Sequence, residues 1–247
     1  MSGDALVYGL HAVESVLRTP GRVREAWLDE GRRDQRLRGL AAQLQDAGVP
    51  HAWVRRERLD ELACGERHQG AVARVRPAQS LNESHLEQLL VQLQEPAFLL
   101  VLDGVQDPHN LGACLRSADA AGVHAVIAPR DRACGLTATV RKVAVGAAET
   151  VPFVQVTNLA RTLRMLRDNG VRIVGTAGET ETSLFQADLT GPLALVLGAE
   201  EKGLRRLTRE HCDQLVRIPM RGSVESLNVS VATGISLFEA LRQRLPS

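Results

Sequence analysis

Three glycine- and polar-rich segments hold the residues whose types and spacing could do chemistry. In the first, Leu102 to Ser117 (LDGVQDPHNLGACLRS), Asn110 and Arg116 stand six residues apart, close enough for a loop and the first turns of a following helix to present both. The second, Leu195 to Gly203 (LVLGAEEKG), sets Glu200 between Gly198 and Gly203, two positions that allow a backbone to approach a ligand closely. In the third, Ile218 to Ser230 (IPMRGSVESLNVS), Ser226, Asn228 and Ser230 supply neutral hydrogen-bonding groups. Taken singly, each has a structural reading as well. Asn110 or Ser226 can cap a helix, Gly198 can serve a turn, and Arg116 can pair with a surface acid. No G-x-G-x-x-G, G-x-x-x-x-G-K-[ST], H-E-x-x-H or G-x-S-x-G run occurs, which argues against dinucleotide reductases, P-loop nucleotidases, zinc proteases and serine hydrolases.

Each of these segments follows a run that reads as a strand, the place where open α/β sheets put their ligands. Short apolar runs at Phe98–Leu102, Ala125–Ala128, Val151–Val156, Val171–Thr176, Leu193–Leu197 and Leu215–Ile218 predict strands, with helical patterns such as Leu159–Arg167 between several of them. That alternation predicts a mostly parallel sheet covered on both faces. Upstream, a helical stretch at His11–Leu17, strand-like Val23–Leu28, amphipathic Arg36–Leu44, and runs at Pro50–Val54 and Gly70–Val75 predict a smaller α/β unit. The polar segment Pro77–Ser84 separates the two. The expected division is residues 1–76, a linker and the start of a connecting helix at 77–95, and a second domain at 96–247.

Length and charge bound the possibilities further. The 247 residues, 44% of them hydrophobic, can bury a core without staples. A net charge of +1 means that any nucleic-acid contact must come from local patches. All but two of the 30 basic residues are arginine, Lys142 and Lys202 being the exceptions; arginine forks suit phosphate, and a coding bias would give the same excess. Between Arg22 and Arg38, six arginines (Arg22, Arg24, Arg32, Arg33, Arg36, Arg38) face four acids, a pattern that fits a solvated face or a phosphate grip. Cys64, Cys114, Cys134 and Cys212 are scattered singly, as free thiols are, and no four-ligand metal set is spaced for zinc. The longest charge-free stretch near the end, Ser226–Phe238, is too short to span a bilayer, and the first residues lack a secretory signature, so a cytoplasmic protein is expected.

In order and spacing the three segments resemble the motifs of the SpoU/TrmH family of SPOUT methyltransferases, which move a methyl group from S-adenosylmethionine to a ribose 2′-hydroxyl of RNA. The likeness extends through YGLHAVESVL, HQGAVARVRP, VTNLARTLRMLR, LTREHC and SLNVSVATGISLFEA, nearly the whole chain. The resemblance implies an α/β catalytic domain with a deep trefoil knot, a ribosomal-protein-like RNA-binding domain before it, and a homodimer. It also implies a 23S rRNA guanosine as acceptor, with tRNA or a non-catalytic ribosome-assembly role as alternatives. Carried over by position, Gly198, Ile218, Met220 and Leu227 hold the cofactor and Arg116 is the leading catalytic residue. Asn110 and Glu200 orient it and the ribose; Ser226 and Asn228 order the cofactor and substrate loops. An arginine side chain loses its proton only above about pH 12, so clamping a phosphate beside the 2′-hydroxyl suits Arg116 better than acting as a literal base. Glu201 and Lys202 depart from the family's small residues in the second motif. With few aromatic residues, RNA recognition by shape and backbone is expected over base stacking.

Overall fold

The computed structural model describes residues 4–32, 34–65, 67–199 and 203–245. It divides into two compact units, one running to Ala78 and including Val145–Thr150, the other made of Gln79–Ala144 and the chain from Val151 onward.

The first unit runs β1 (Ala5–Tyr8), α1 (Leu10–Leu17), β2 (Val23–Asp29), α2 (Gln35–Asp46), β3 (His51–Val54), α3 (Arg56–Ala63) and β4 (Ala71–Val75). Its sheet has the order β1-β4-β2-β3, with β4 antiparallel to both neighbours and β2 parallel to β3. Leu37, Leu40 and Leu44 form one apolar stripe of α2 and join Val7, Val13, Leu28 and Ala73 in the core. Asp34 starts α2 by accepting the Leu37 N–H at 3.1 Å. The segment around Arg22 differs from a wholly solvated face. Arg22 is largely buried and donates to Glu149 Oε2 at 2.7 Å, Arg32 pairs with Asp34, and Arg24 lies 4.0 Å from Asp4, so at least three of the six arginines have acidic partners within the protein; Arg33 lies outside the described residues. β1 and α3 were not among the expected elements: β1 is only four residues long, and α3 is eight residues with only Leu59, Leu62 and Ala63, at helical spacing, among charged residues.

The second unit begins with α4 (Glu83–Gln92), capped by Asn82, and Leu81 just before it bridges to Val154. There follow β5 (Phe98–Asp103), α5 (Pro108–Ala120), β6 (Ala125–Pro129) and α6 (Ala138–Ala144); α7 (Ala147–Thr150) is counted with the first unit. The chain continues through β7 (Phe153–Val156), α8 (Leu159–Asp168), β8 (Arg172–Thr176), a short 3-10 turn at Leu184–Gln186, β9 (Leu193–Gly198), α9 (Arg206–Glu210), β10 (Gln214–Val216) and α10 (Val229–Arg244). The six-stranded sheet is parallel throughout in the order β10-β8-β9-β5-β6-β7. β5 and β9, apolar almost end to end, lie side by side at its centre and are buried, as parallel strands covered on both faces must be. On one face Leu86 of α4 and Leu159, Leu163 and Leu166 of α8 cover Leu99, Val101, Ile173 and Val196. α5 packs against α6 so closely at Gly112 that a Cβ there would meet Val143 Cβ at 2.7 Å. α5 also packs against α10. β10 stops at Val216, short of the expected Ile218, because its partner β8 ends at Thr176 opposite Val216; Arg217 instead bridges to Ser183.

Candidate active site

β5 leads through a loop to α5 and β6 on one side of the sheet, whereas β9 and β8 lie on its other side, so the chain changes direction between β5 and β9. Ligands of open parallel sheets sit at such a switch, beyond the carboxyl ends of the strands. On the β9 side of that switch the structure opens a cavity of about 360 Å³ between the ends of β8, β9 and β10. Gly198, Ile218, Met220, Leu227 and Ser226 all line it. Two segments separated by some twenty residues thus converge on one space. A side chain at Gly198 would overlap the carbonyl of Gly203, where Ala199 and Gly203 bridge to close the loop; only glycine allows that closure.

The lining is mixed. Leu197, Ile218 and Leu227 are apolar, and Glu179, Glu225 and Arg209 bring charge. The Glu179 carboxyl lies below the usual range because its own backbone N–H and the Arg209 guanidinium donate to it. A flat apolar ring with hydroxyls and a positive charge attached would find partners for each part here. The donor set therefore suits S-adenosylmethionine, whose adenine, ribose and sulfonium have those characters.

A second constellation joins the starts of α5 and α10. Asp107 caps α5, accepting the His109 N–H at 2.8 Å, with Pro108 in the first turn where its missing N–H costs nothing. Asn110, buried one turn on, accepts a hydrogen bond from Asn228 Nδ2 at 3.0 Å. Asn228 Oδ1 in turn caps α10 through the Ser230 N–H at 2.9 Å. The caps are therefore Asp107 and Asn228, and the capping alternatives for Asn110 and Ser226 fall away. Arg116 is exposed and has no partner among the described residues. Six residues of α-helix carry it about 9 Å along the axis and about 240° around it from Asn110, so the two do not meet. Glu200 lies outside the described residues, as do Glu201 and Lys202.

Two functional candidates escaped the sequence reading. Asp103, fully buried at the end of β5, accepts the backbone N–H of Arg205 at 2.9 Å and is also paired with the Arg205 guanidinium. The pair ties the residues after the glycine loop to the central strand. The available signal was a lone carboxylate ending an otherwise apolar strand, at the edge where ligands bind. Beside it a second cavity of about 450 Å³ shares Ala199, Gly203 and Val229 with the first. Among the described residues no cluster of three or more His, Cys, Asp or Glu could hold a metal, and no helix is long and apolar enough to cross a membrane.

Fold and site together define an α/β protein with a mixed small domain and a parallel-sheet domain that presents two adjoining cavities beyond the carboxyl ends of its strands. Residues 97–238 match the SpoU rRNA Methylase family, and residues 6–81 match the RNA 2′-O ribose methyltransferase substrate binding family. The chain belongs to the SpoU rRNA methylase family. It is 59% identical over 240 residues to the 23S rRNA (guanosine-2′-O-)-methyltransferase RlmB of Escherichia coli, covering 97% of this chain and 98% of that one. It is 60% identical over 245 residues to the RlmB of Shewanella oneidensis, covering 99% of each. Among solved structures, the SpoU methyltransferase AviRb from Streptomyces viridochromogenes in complex with the cofactor AdoMet superposes with a TM-score of 0.67 at 26% identity, covering 98% of this chain and 90% of that one.

Proposed function

We propose that the protein is an S-adenosylmethionine-dependent methyltransferase acting on the 2′-hydroxyl of a guanosine ribose in 23S rRNA. The observation that carries the reading is the convergence of Gly198, Ile218, Met220 and Leu227 on one cavity, beside the Asn110–Asn228 pair. Near full-length identity to enzymes named for that reaction supports the substrate. When bound, S-adenosylmethionine supplies a methyl group on a positively charged sulfur that leaves neutral. The protein's tasks are to hold the ribose oxygen in line and to ease loss of its proton. Gly198, Ile218, Met220 and Leu227 hold the cofactor. Arg116, exposed and uncommitted, clamps the phosphate beside the acceptor hydroxyl, where two parallel N–H donors fit two phosphate oxygens. Asn110 and Asn228 fix the starts of α5 and α10, Ser226 orders the loop before α10, and Glu200 orients the ribose.

Residues 1–76 form the RNA-binding domain, 77–95 the linker and connecting helix, and 96–247 the knotted catalytic domain. Exposed Arg36 and Arg38 suit phosphate contact better than Arg22 and Arg32, which are engaged within the protein. Val231 and Phe238, seven residues apart on α10 and half exposed, mark the face through which two copies form a homodimer. We place the protein in the cytoplasm, where its rRNA substrate is made.

Methyl transfer from labelled S-adenosylmethionine to unmodified 23S rRNA and, separately, unmodified tRNA tests the reading once the alkali-resistant ribose is mapped. Label at a single 23S guanosine is the expected result. Label in tRNA alone overturns the substrate, and cofactor binding without transfer to either RNA favours a ribosome-assembly protein. Arg116→Ala is expected to lower turnover ~100-fold or more with cofactor affinity unchanged, the scale of removing one preorganised charge-stabilising donor.

A further inference from the structure

The cavity of about 450 Å³ next to the cofactor cavity falls within the size range of small-ligand pockets, roughly 300–1,000 Å³. The two spaces meet at Ala199, Gly203 and Val229, so a group in one can touch a group in the other. An acceptor ribose must lie against the cofactor, and its base must then lie one step further on. The second cavity combines apolar walls, Val105, Ala199 and Val229, with polar side chains that fit the edge of such a base. Asp107 reaches it with a carboxylate that is only partly used: one oxygen accepts the His109 N–H at 2.8 Å, the other has Asn110 Nδ2 at 3.4 Å. A carboxylate has about four acceptor positions, so roughly two remain open. Its neighbour Gln106 donates one amide hydrogen, at 3.4 Å, to the Arg132 carbonyl and keeps a second. Arg132 itself lines the cavity, is exposed, and has no side-chain partner among the described residues.

Resting on the methyltransferase reading above, we propose that this cavity receives the guanine of the acceptor nucleotide, with Asp107 as its reader. The Watson–Crick edge of guanine sets two adjacent donors, N1–H and N2–H, beside one acceptor, O6. Asp107 takes both donors and the Gln106 amide donates to O6, while Arg132 meets the adjoining phosphate. Each other base turns at least one lone pair toward the carboxylate: N1 in adenine, N3 in cytosine, a carbonyl oxygen in uracil. An unstacked RNA base read on this edge by side chains is the usual mode of specific single-strand recognition.

The experiment compares guanosine with inosine, which lacks only the N2 amine, at the mapped acceptor position of a 23S rRNA transcript. For the unaltered protein, inosine is expected to lower kcat/KM by roughly tenfold to a hundredfold, the scale of discrimination by a good bidentate contact. Asp107→Asn retains a helix cap of equal rank, so melting temperature and cofactor affinity stay as they were. In that variant the guanosine-to-inosine ratio is expected to fall close to one. Equal rates on the two acceptors in the unaltered protein, or an undiminished ratio in Asp107→Asn, overturn the assignment of Asp107 while leaving the methyltransferase reading in place. Absence of any transfer to the guanosine transcript removes that reading and this inference together.

Discussion

Asn228 Nδ2 donates to Asn110 Oδ1 at 3.0 Å across 118 residues of chain, joining the first turns of α5 and α10. One side chain thereby does two things, because its oxygen also caps α10 at Ser230. The two roles separate by substitution. Serine is as good a cap as asparagine but too short to reach Asn110, whereas alanine loses both contacts. Asn228→Ser is expected to melt within a degree or two of the unaltered protein while methyl transfer falls about tenfold, the smaller end of what misplacing reacting groups costs. Asn228→Ala is expected to lose a further ~1 kcal/mol of stability, the value of a typical cap. Full turnover in the serine variant would show that the tie between the helices has no part in catalysis.

Asp103 and Arg205 make the corresponding tie on the cofactor side. The carboxylate is fully buried at the end of β5 and accepts both the backbone and the guanidinium of Arg205. Arg205→Gln leaves that charge with the backbone N–H as its main donor, at a cost of about 1–3 kcal/mol. It also slackens the loop closed at Gly198 and Gly203. Denaturant unfolding is expected to show the loss, and calorimetry a weaker affinity for S-adenosylmethionine. A variant with unchanged unfolding and binding contradicts the anchoring role.

Much of this arrangement was legible in the chain itself, and the physical reasons differ from place to place. The strands of the second unit announced themselves because a parallel sheet buried on both faces needs unbroken apolar runs, as in Phe98–Leu102 and Leu193–Leu197. The glycine loop was marked in the sequence by Gly198 and Gly203 flanking Glu200, and the structure leaves no room for a Cβ at Gly198. α6 and α7 were not, since seven- and four-residue helices show too little periodicity. Nor was the Asn110–Asn228 bond, because nothing local in either segment specifies a partner 118 residues away. The internal use of Arg22 was hidden for the same reason, its partner Glu149 lying 127 residues on.

Cys212 supplies a test of packing at the end of β8. A Cβ at Gly175 would meet its Sγ at 2.7 Å, and burial, with Asp213 and Asp103 nearby, pushes its thiol up to about 12. Since the thiolate is the reactive form, very little of Cys212 is reactive at pH 8. Cys64, by contrast, is exposed. Iodoacetamide at pH 8 is expected to alkylate Cys64 first and to leave Cys212 untouched until the protein is unfolded, as peptide mass spectrometry reads directly. Early modification of Cys212 would mean that the β8–α9 region opens in the native state.

Glu83 gives the clearest dependence of stability on pH. At the start of α4 its Oε1 accepts the Thr157 N–H at 2.6 Å and the Thr157 hydroxyl at 2.8 Å, joining α4 to the turn before α8. The Thr157 backbone N–H holds the carboxyl below its usual range. A lowered value in the folded state means that the unfolded chain takes up the proton first, near pH 4.3. The contribution is therefore complete above about pH 4.3 and disappears as the pH falls through the lower folded value. Glu83→Gln keeps an oxygen for both donors and removes only the charge, so the difference between the two proteins isolates it from Asp34, Glu179, Asp188 and Glu239, whose carboxyls are also lowered. At pH 7 the glutamine variant is expected to be less stable by ~1 kcal/mol, the excess of a charged over a neutral hydrogen bond. Urea unfolding at a series of pH values should show that gap steady from pH 7 to 5 and closing below 4. A gap that is constant down to pH 3 would show that the Glu83 charge does not contribute to the junction.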